Sequence, residues 1–482
     1  MLASHTEQYE NGGMDSMLTE KSLTFYPLSP IQKTYMILYA VCFRHTQAAN
    51  IPISVYLDGE IDVELMRQAL KIEVERNDCL RSKMAFRFLS LRQCFLPSKD
   101  IGEIPFDDFL GKTEEEFTAY VKEQSFRRLA VFKGVTFRIR IFRAPDGRYG
   151  LHGSFSHIFQ DAYAVALFYR DLLMVYSSLK NGTELPPALD RFEDTLKYDL
   201  ALYKNKAHMK RVVGFYDKYF KTEKSSLYCG IDQMRDLKRV RSRWHAPNFR
   251  GVPVFHVFRD KAETVGCPLE RELTDEMMAF CKKNRVSMQA LFQMGLRTHL
   301  SKVNENAGDV TMLLAVARRC TRVDLNSGGT RALAHMMRTD FSPEMTFIEA
   351  LRATDKCNLS LYKHADYQFL REFFKQGWYD KRIPWFTGIS TALTFFPFEM
   401  LDADVGLKYE YFSMGTGYMH VTNYTMIAPN FISGGYNCFY VHHTRFINKE
   451  DILLLHENLV KVIKAGIGKP EITLGEILSD VL

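Results

Sequence analysis

Residues 135–179 constrain the fold of this chain more tightly than any other stretch. Val135 to Phe142 alternates apolar Val135, Phe137, Ile139 and Ile141 with Thr136, Arg138 and Arg140, the period of a half-buried strand. Pro145-Asp146-Gly147 supplies hairpin-turn residues, and Tyr149 to Ser156 returns as the partner strand. The pattern then becomes an amphipathic helix from about Asp161 to Leu179, stopped at Asn181-Gly182. Strands and helices alternate along the rest of the chain as well, which predicts a mixed α/β protein.

Pro52 to Gly59 reads as a strand, and Asp62 to Asn77 as a helix with Val63, Met66, Leu70 and Val74 near one face. A polar, basic stretch from Lys204 to Arg250 is the predicted link between two halves. Beyond it, Val254–Arg259, Val310–Ala317, Ala392–Phe396, Gly406–Phe412, His420–Ile427 and Tyr436–His442 are strand candidates. Leu273–Asn284, Ser287–Val303 and Asp451–Lys464 are helix candidates, and Thr346-Phe-Ile-Glu349 is a capping box opening another to about Lys363. The predicted parse is a disordered start (residues 1–20), a first half (21–203), the link (204–250) and a second half (251–482).

With 46% hydrophobic and 25% charged positions over 482 residues, disorder, collagen and coiled coil are excluded as the main plan. A formal charge of +6 over this length does not predict nucleic-acid binding, although it suits a phosphate-bearing ligand. The nine cysteines lie singly, with no CxxC pair, which argues against a disulfide framework or zinc ribbon and suits a reducing cytosol. The first twenty residues contain no apolar signal core, and the run Tyr35 to Phe43 is far too short to span a bilayer. The expectation is a cytoplasmic protein without a membrane span.

Absences narrow the chemistry. There is no GxxxxGK[ST], HExxH or GxSxG, and Gly415-Thr-Gly417 lacks the rest of a dinucleotide fingerprint. His442 and His443 are adjacent on a predicted strand, so they point to opposite faces and cannot converge on a metal. One segment remains: Ser154-Phe-Ser156-His157-Ile-Phe-Gln-Asp161-Ala162, a His-x-x-x-Asp where a strand opens into a helix. A histidine there can take a proton from an incoming nucleophile. The aspartate can orient the loop through a buried ion pair or simply cap the helix. The second such spacing, His256 to Asp260, lies along a predicted strand, where its ends are roughly 13 Å apart and cannot cooperate.

SHxxxDA at this position resembles HHxxxDG, the signature of the condensation domains of nonribosomal peptide synthetases, within the chloramphenicol-acetyltransferase-like superfamily. Ser156 stands for the first His, His157 matches the second, Asp161 matches, and Ala162 stands for Gly. Tyr26-Pro-Leu-Ser-Pro-Ile-Gln32 is similar to the opening YPLSPxQ, and Glu75-Arg-Asn-Asp-Cys-Leu-Arg81 to RHExLR, with Asn77 in place of His. Asp199 and Phe215-Tyr216 resemble the DxAxW and YW region without its tryptophans, and His364 to Phe369 is similar to HxDxPF. The NTLP-type stretch should fall near Leu333 to Thr339, which reads LAHMMRT; Met336 and Met337 there read as core or tunnel lining.

The resemblance implies an α/β fold: two acetyltransferase-like lobes in a V-shaped pseudo-dimer with a tunnel between them. It implies an acyltransferase that forms an amide from an acyl thioester and an amine, with His157 as general base or positioning group. Asp161 is implied to be structural and to pair with an arginine of the RHExLR stretch, Arg76 first and Arg81 second. Ser156 is either a neutral replacement or the mark of a specialised subgroup, and Ala162 adds a methyl group where the helix begins. No cofactor is implied to be permanently bound. The thioester would come on the phosphopantetheine of a carrier protein acting in trans, or on CoA, to a monomer. Lys238-Arg-Val-Arg-Ser-Arg243, and Arg318-Arg319 with Arg322, are either phosphate receivers or solvated charge. Two alternatives stay open: ester formation on a hydroxyl, and a non-catalytic scaffold that binds a carrier or acyl chain.

Overall fold

The computed structural model describes residues 23–87, 89–219, 227–253, 261–368, 386–387, 390–397, 407–419 and 421–482. The strand predicted at Val254–Arg259, the His256–Asp260 pair and the predicted disordered start lie outside the described residues.

Two sheets carry the architecture. The first runs β9 (Tyr409–Phe412), β1 (Asn50–Leu57), β4 (Tyr149–Ser156), β3 (Phe137–Arg143) and β2 (Phe106–Asp108). Its hairpin is the one read from the sequence, with Phe137 opposite Phe155 and Arg143 opposite Tyr149. Alternation decides the faces. Ile53, Val55, Leu151, Phe155 and Ile141 bury one face against helices α2 (Val63–Arg76) and α3 (Ala162–Asn181). Ser54, His152, Ser154 and Ser156 occupy the other face and are buried as well.

The second sheet runs β7 (Leu333–Asp340), β6 (Asp309–Val316), β8 (Thr391–Phe395), β10 (Asn423–Pro429), β11 (Tyr436–His443) and β5 (Ala262–Leu269). Leu314 and Ile427 pack with Phe292, Leu351, Leu455 and Leu459, from helices α5 (Met288–Val303), α6 (Phe347–Lys363) and α7 (Lys449–Gly468). The capping box at Thr346 and Glu349 forms as read. The LAHMMRT stretch is strand β7, paired antiparallel to β6, and Met336 and Met337 are both buried.

Two features depart from a division into halves joined by a tether. Residues 204–250 contain helix α4 (Lys206–Tyr219), whose Val212 and Tyr216 join the core of the second sheet with Cys229 and Ile231. Their apolar spacing is sparse among charges, so composition hid a buried face. Strand β9 comes from the second half yet pairs with β1, where Tyr409 and Tyr411 enter the core of the first sheet.

Candidate active site

Strand β4 is hydrogen-bonded on both sides up to its last residue. Asn50 lies opposite Ser156, the Ser156 N–H donates to the Thr136 carbonyl at 2.8 Å, and the His157 N–H donates to the Ala49 carbonyl at 2.9 Å. The chain then turns sharply, with the Phe159 and Gln160 N–H groups both donating to the Ser156 carbonyl at 3.0 Å. Asp161 is the N-cap of α3, its Oδ1 accepting from the Ala164 N–H at 2.8 Å. The strand end, the turn and the cap thus hold the backbone of His157 and Asp161 in place.

The second carboxylate oxygen of Asp161 has a different task. Oδ2 accepts from Arg319 Nη1 at 2.8 Å, from the Arg331 N–H at 2.8 Å and from the Ala332 N–H at 2.7 Å. Cap and ion pair, posed as alternatives by the sequence, are the two oxygens of one side chain. Asp161 is fully buried. Burial pushes its pKa up, but the Arg319 guanidinium and these N–H donors outweigh that and hold it below the usual carboxylate range.

The arginine partner differs from the one expected. Arg76 Nε lies 3.2 Å from Asp171, and its Nη2 donates to the carbonyls of Pro186 and Pro187. Arg81 donates to the carbonyls of Leu96, Val74 and Glu75. Neither pairs with Asp161; Arg319, 158 residues along the chain, does. Both RHExLR arginines end α2 or the turn after it, where carbonyls and Asp171 are nearer partners. The Glu73 carboxyl beside Asp171 is driven well above its usual range, first by burial and then by Asp171. The sequence signal for the new partner is slight: the Gly328-Gly329 pair. A Cβ at Gly329, whose φ is +83°, would meet the Phe192 ring at 2.1 Å. The Gly329 carbonyl accepts from Arg319 Nη2 at 2.9 Å.

The same region corrects the phosphate reading of Arg318 and Arg319. Both side chains are buried and paired with acids of the protein itself. Arg318 Nε donates to Asp366 at 2.9 Å and its Nη1 lies 3.4 Å from Asp199. Arg331 Nη2 donates to Asp199 at 3.2 Å and Nη1 to Asp324. His208 Nε2 lies 2.7 Å from Asp366. Asp199 and Asp366, noticed in the sequence only as motif positions, are the acids of this cluster. Arg322 is exposed, as are Lys238, Arg239 and Arg243, with Arg239 paired to Asp236.

His157 stacks on Tyr35, with ring centroids 3.8 Å apart and an interplanar angle of 16°. Its pKa is pulled down to about 4, mainly by burial, while the Asp161 charge and the backbone at His157 and Gln160 favour the charged form less strongly. The imidazole is therefore neutral at pH 7 and able to accept a proton. Ser156 is buried, and its Oγ has no hydrogen-bond partner among the described residues. Ala162 lines an apolar recess of about 10 Å³ with Ile53, Ala166, Phe396, Tyr411, Met426 and Ala428. Among the described residues, no three His, Cys, Asp or Glu side chains are grouped to hold a metal ion. Among them, too, no helix is long and apolar enough to cross a membrane.

Comparison with known proteins bears on the family and the fold. A family model described as the condensation domain matches residues 22–373. Bacitracin synthase 3 of Bacillus licheniformis is 22% identical over 99% of the chain. Tyrocidine synthase 2 of Brevibacillus parabrevis is 29% identical over 34% of it. The chain spans only 7% and 5% of the length of these relatives. Among solved structures, the first condensation domain of the calcium-dependent antibiotic synthetase, in complex with a substrate analogue, superposes with a TM-score of 0.77. The match has 15% identity and covers 95% of this chain and 100% of that one. A variant of the starter condensation domain of rhizomide synthetase, in complex with C8-CoA, gives 0.75 at 15% identity, covering 97% and 100%.

Proposed function

The chain belongs to the condensation-domain family, an acyltransferase-type family, and on that premise we propose that it joins an acyl thioester to an amine with His157 as the base. The observation that carries the proposal is the neutral, half-buried imidazole just past the end of β4, beside a carboxylate fully engaged elsewhere. Such a group takes the proton from the amine nitrogen as that nitrogen bonds to the thioester carbonyl carbon, a task worth about 10² to 10⁴ in rate for a base whose pKa is near the working pH and less for one held near 4. The nitrogen–acyl bond forms, the carbon–sulfur bond breaks, and the thiolate leaves with a proton. Asp161 stays ionised and holds the turn.

We place the reaction in a tunnel between two acetyltransferase-like lobes, reached by donor and acceptor from opposite ends. The complexes of rhizomide synthetase's starter domain with C8-CoA, and with C8-CoA and Leu-SNAC, support thioesters as the substrate class. Charge supports a carrier protein acting in trans as the donor. Segments 30–44, 82–95 and 127–138 contain no Asp or Glu. Residues from all three pack together around Ile158 and Phe159. They expose Arg44, Arg87, Arg127, Arg128 and Lys133 beside Phe43, Phe86 and Phe132, a surface suited to an acidic partner.

The test presents a loaded carrier protein or acyl-CoA with a panel of amines and alcohols and reads product by intact mass. Amide products that vanish in His157→Ala, with the fold intact, are expected. Ester products would move the acceptor to oxygen. Full activity in His157→Ala, or no transfer from any donor, refutes the reading and leaves the non-catalytic scaffold.

A further inference from the structure

We propose that Tyr35 is a positioning residue for His157, and that the second half of the chain sets the orientation of the base through it. The inference rests on the reading of His157 as the base.

The backbone of His157 is pinned at Ala49, but that fixes no side-chain torsion. The flat contact on the imidazole is the Tyr35 ring. Tyr35 sits on helix α1 (Pro30–Val41), whose first turn is held by a capping box between Ser29 and Gln32, and the Gln32 side chain is bonded to that of Gln93. The root of the ring is therefore fixed within the first half. Its tip is fixed from the second half, because the Tyr35 hydroxyl donates to the Ala332 carbonyl at 3.2 Å. Burial raises the Tyr35 pKa far into the alkaline range, so the hydroxyl remains a donor at any working pH.

Ala332 is the meeting point. Its carbonyl holds Tyr35 and its N–H holds Asp161 at 2.7 Å, while Arg319 and the Arg331 N–H reach the same carboxylate oxygen. One peptide segment of the second half thus grips both the ring that flanks the base and the acid that ends its turn. A shift of residues 319–332 relative to α3 moves both together. Asp161 is the charged group that acts on the imidazole, Tyr35 is the titratable ring stacked on it, and Asp161 and Tyr424 act on Tyr35 in turn.

Two variants separate the tether from the stack. Tyr35→Phe keeps the ring and loses the bond to Ala332; Tyr35→Leu loses both. The readout is NMR of the full chain labelled with ¹⁵N-histidine, which needs no substrate, together with kcat and KM. In Tyr35→Phe the His157 signals are expected to broaden, with kcat reduced and KM unchanged. In Tyr35→Leu the His157 titration is expected to move toward that of an ordinary histidine, with kcat falling by up to about 10²-fold, the scale of a misplaced catalytic group. Thermal unfolding confirms that each variant is folded. Wild-type His157 line shape and kcat in folded Tyr35→Phe overturn the tether. A wild-type titration and rate in folded Tyr35→Leu overturn the stack. If His157→Ala proves fully active while the Tyr35 variants still shift His157, the reaction assigned above falls and the positioning role stands.

Discussion

Replacing Asp161 by asparagine tests whether the motif acid is a latch to the second half or only a helix cap. Four donors converge on the carboxylate: three on Oδ2 and one on Oδ1. An asparagine keeps one oxygen, so its NH₂ must face donors whichever way the amide turns. The better orientation puts the oxygen toward Arg319 and gives up the cap, a loss of about 1 kcal/mol. The larger cost is the buried Arg319 charge, which keeps only neutral acceptors, the amide oxygen and the Gly329 and Ala317 carbonyls, and loses its counter-charge. Breaking a buried pair from one side costs roughly 3–5 kcal/mol, and the total should lie at the upper end of that range. Arg319→Met should cost less, about 2 kcal/mol, because the carboxylate retains three backbone N–H donors.

The assay is the urea midpoint at constant slope for Asp161→Asn, Arg319→Met and the double variant. The double variant should cost clearly less than the sum of the singles. Equal costs for the two singles, or strict additivity, would refute the argument. The pH dependence has a fixed sign. A carboxyl depressed in the folded state stabilises fully above its unfolded pKa, about 3.9, and loses that contribution as pH falls through the lower native value. The Asp161→Asn deficit should therefore be the same at pH 7 and pH 5.

Three shorter predictions follow from the same geometry. With the His157 pKa near 4, the acid limb of kcat/KM should lie close to pH 4, and a limb at the ordinary histidine value of about 6.5 would show that burial does not govern the base. Arg76→Met should destabilise by roughly 3–5 kcal/mol in urea unfolding by stranding buried Asp171, yet leave kcat unchanged because Arg76 does not pair with Asp161. Ser156→His, which writes the family signature back into the chain, should lower stability by about 1–3 kcal/mol through overpacking, since Ser156 is 1% exposed; an unchanged thermal midpoint would mean that the site has room.

The sequence determined whatever depends on neighbours along the chain. The period-two hairpin, the helix begun at Asp161 and stopped at Gly182, and the capping box at Thr346 are local, so a few residues suffice to encode them. The ordered motifs placed His157 and Asp161 at one strand-to-helix turn for the same reason. What surrounds them depends on contacts between segments far apart in the chain. A buried carboxylate needs a cation but does not say which, and 63 Lys and Arg residues are available. Arg76 looked suitable from its motif, but the end of α2 delivers it to Asp171. Arg319 reaches Asp161 because the Gly328-Gly329 turn lets the second half approach closely. The stack of Tyr35 on His157 and the pairing of β9 with β1 likewise join distant segments and leave no periodicity to read. Local propensity wrote the elements, and close packing between the halves chose the partners.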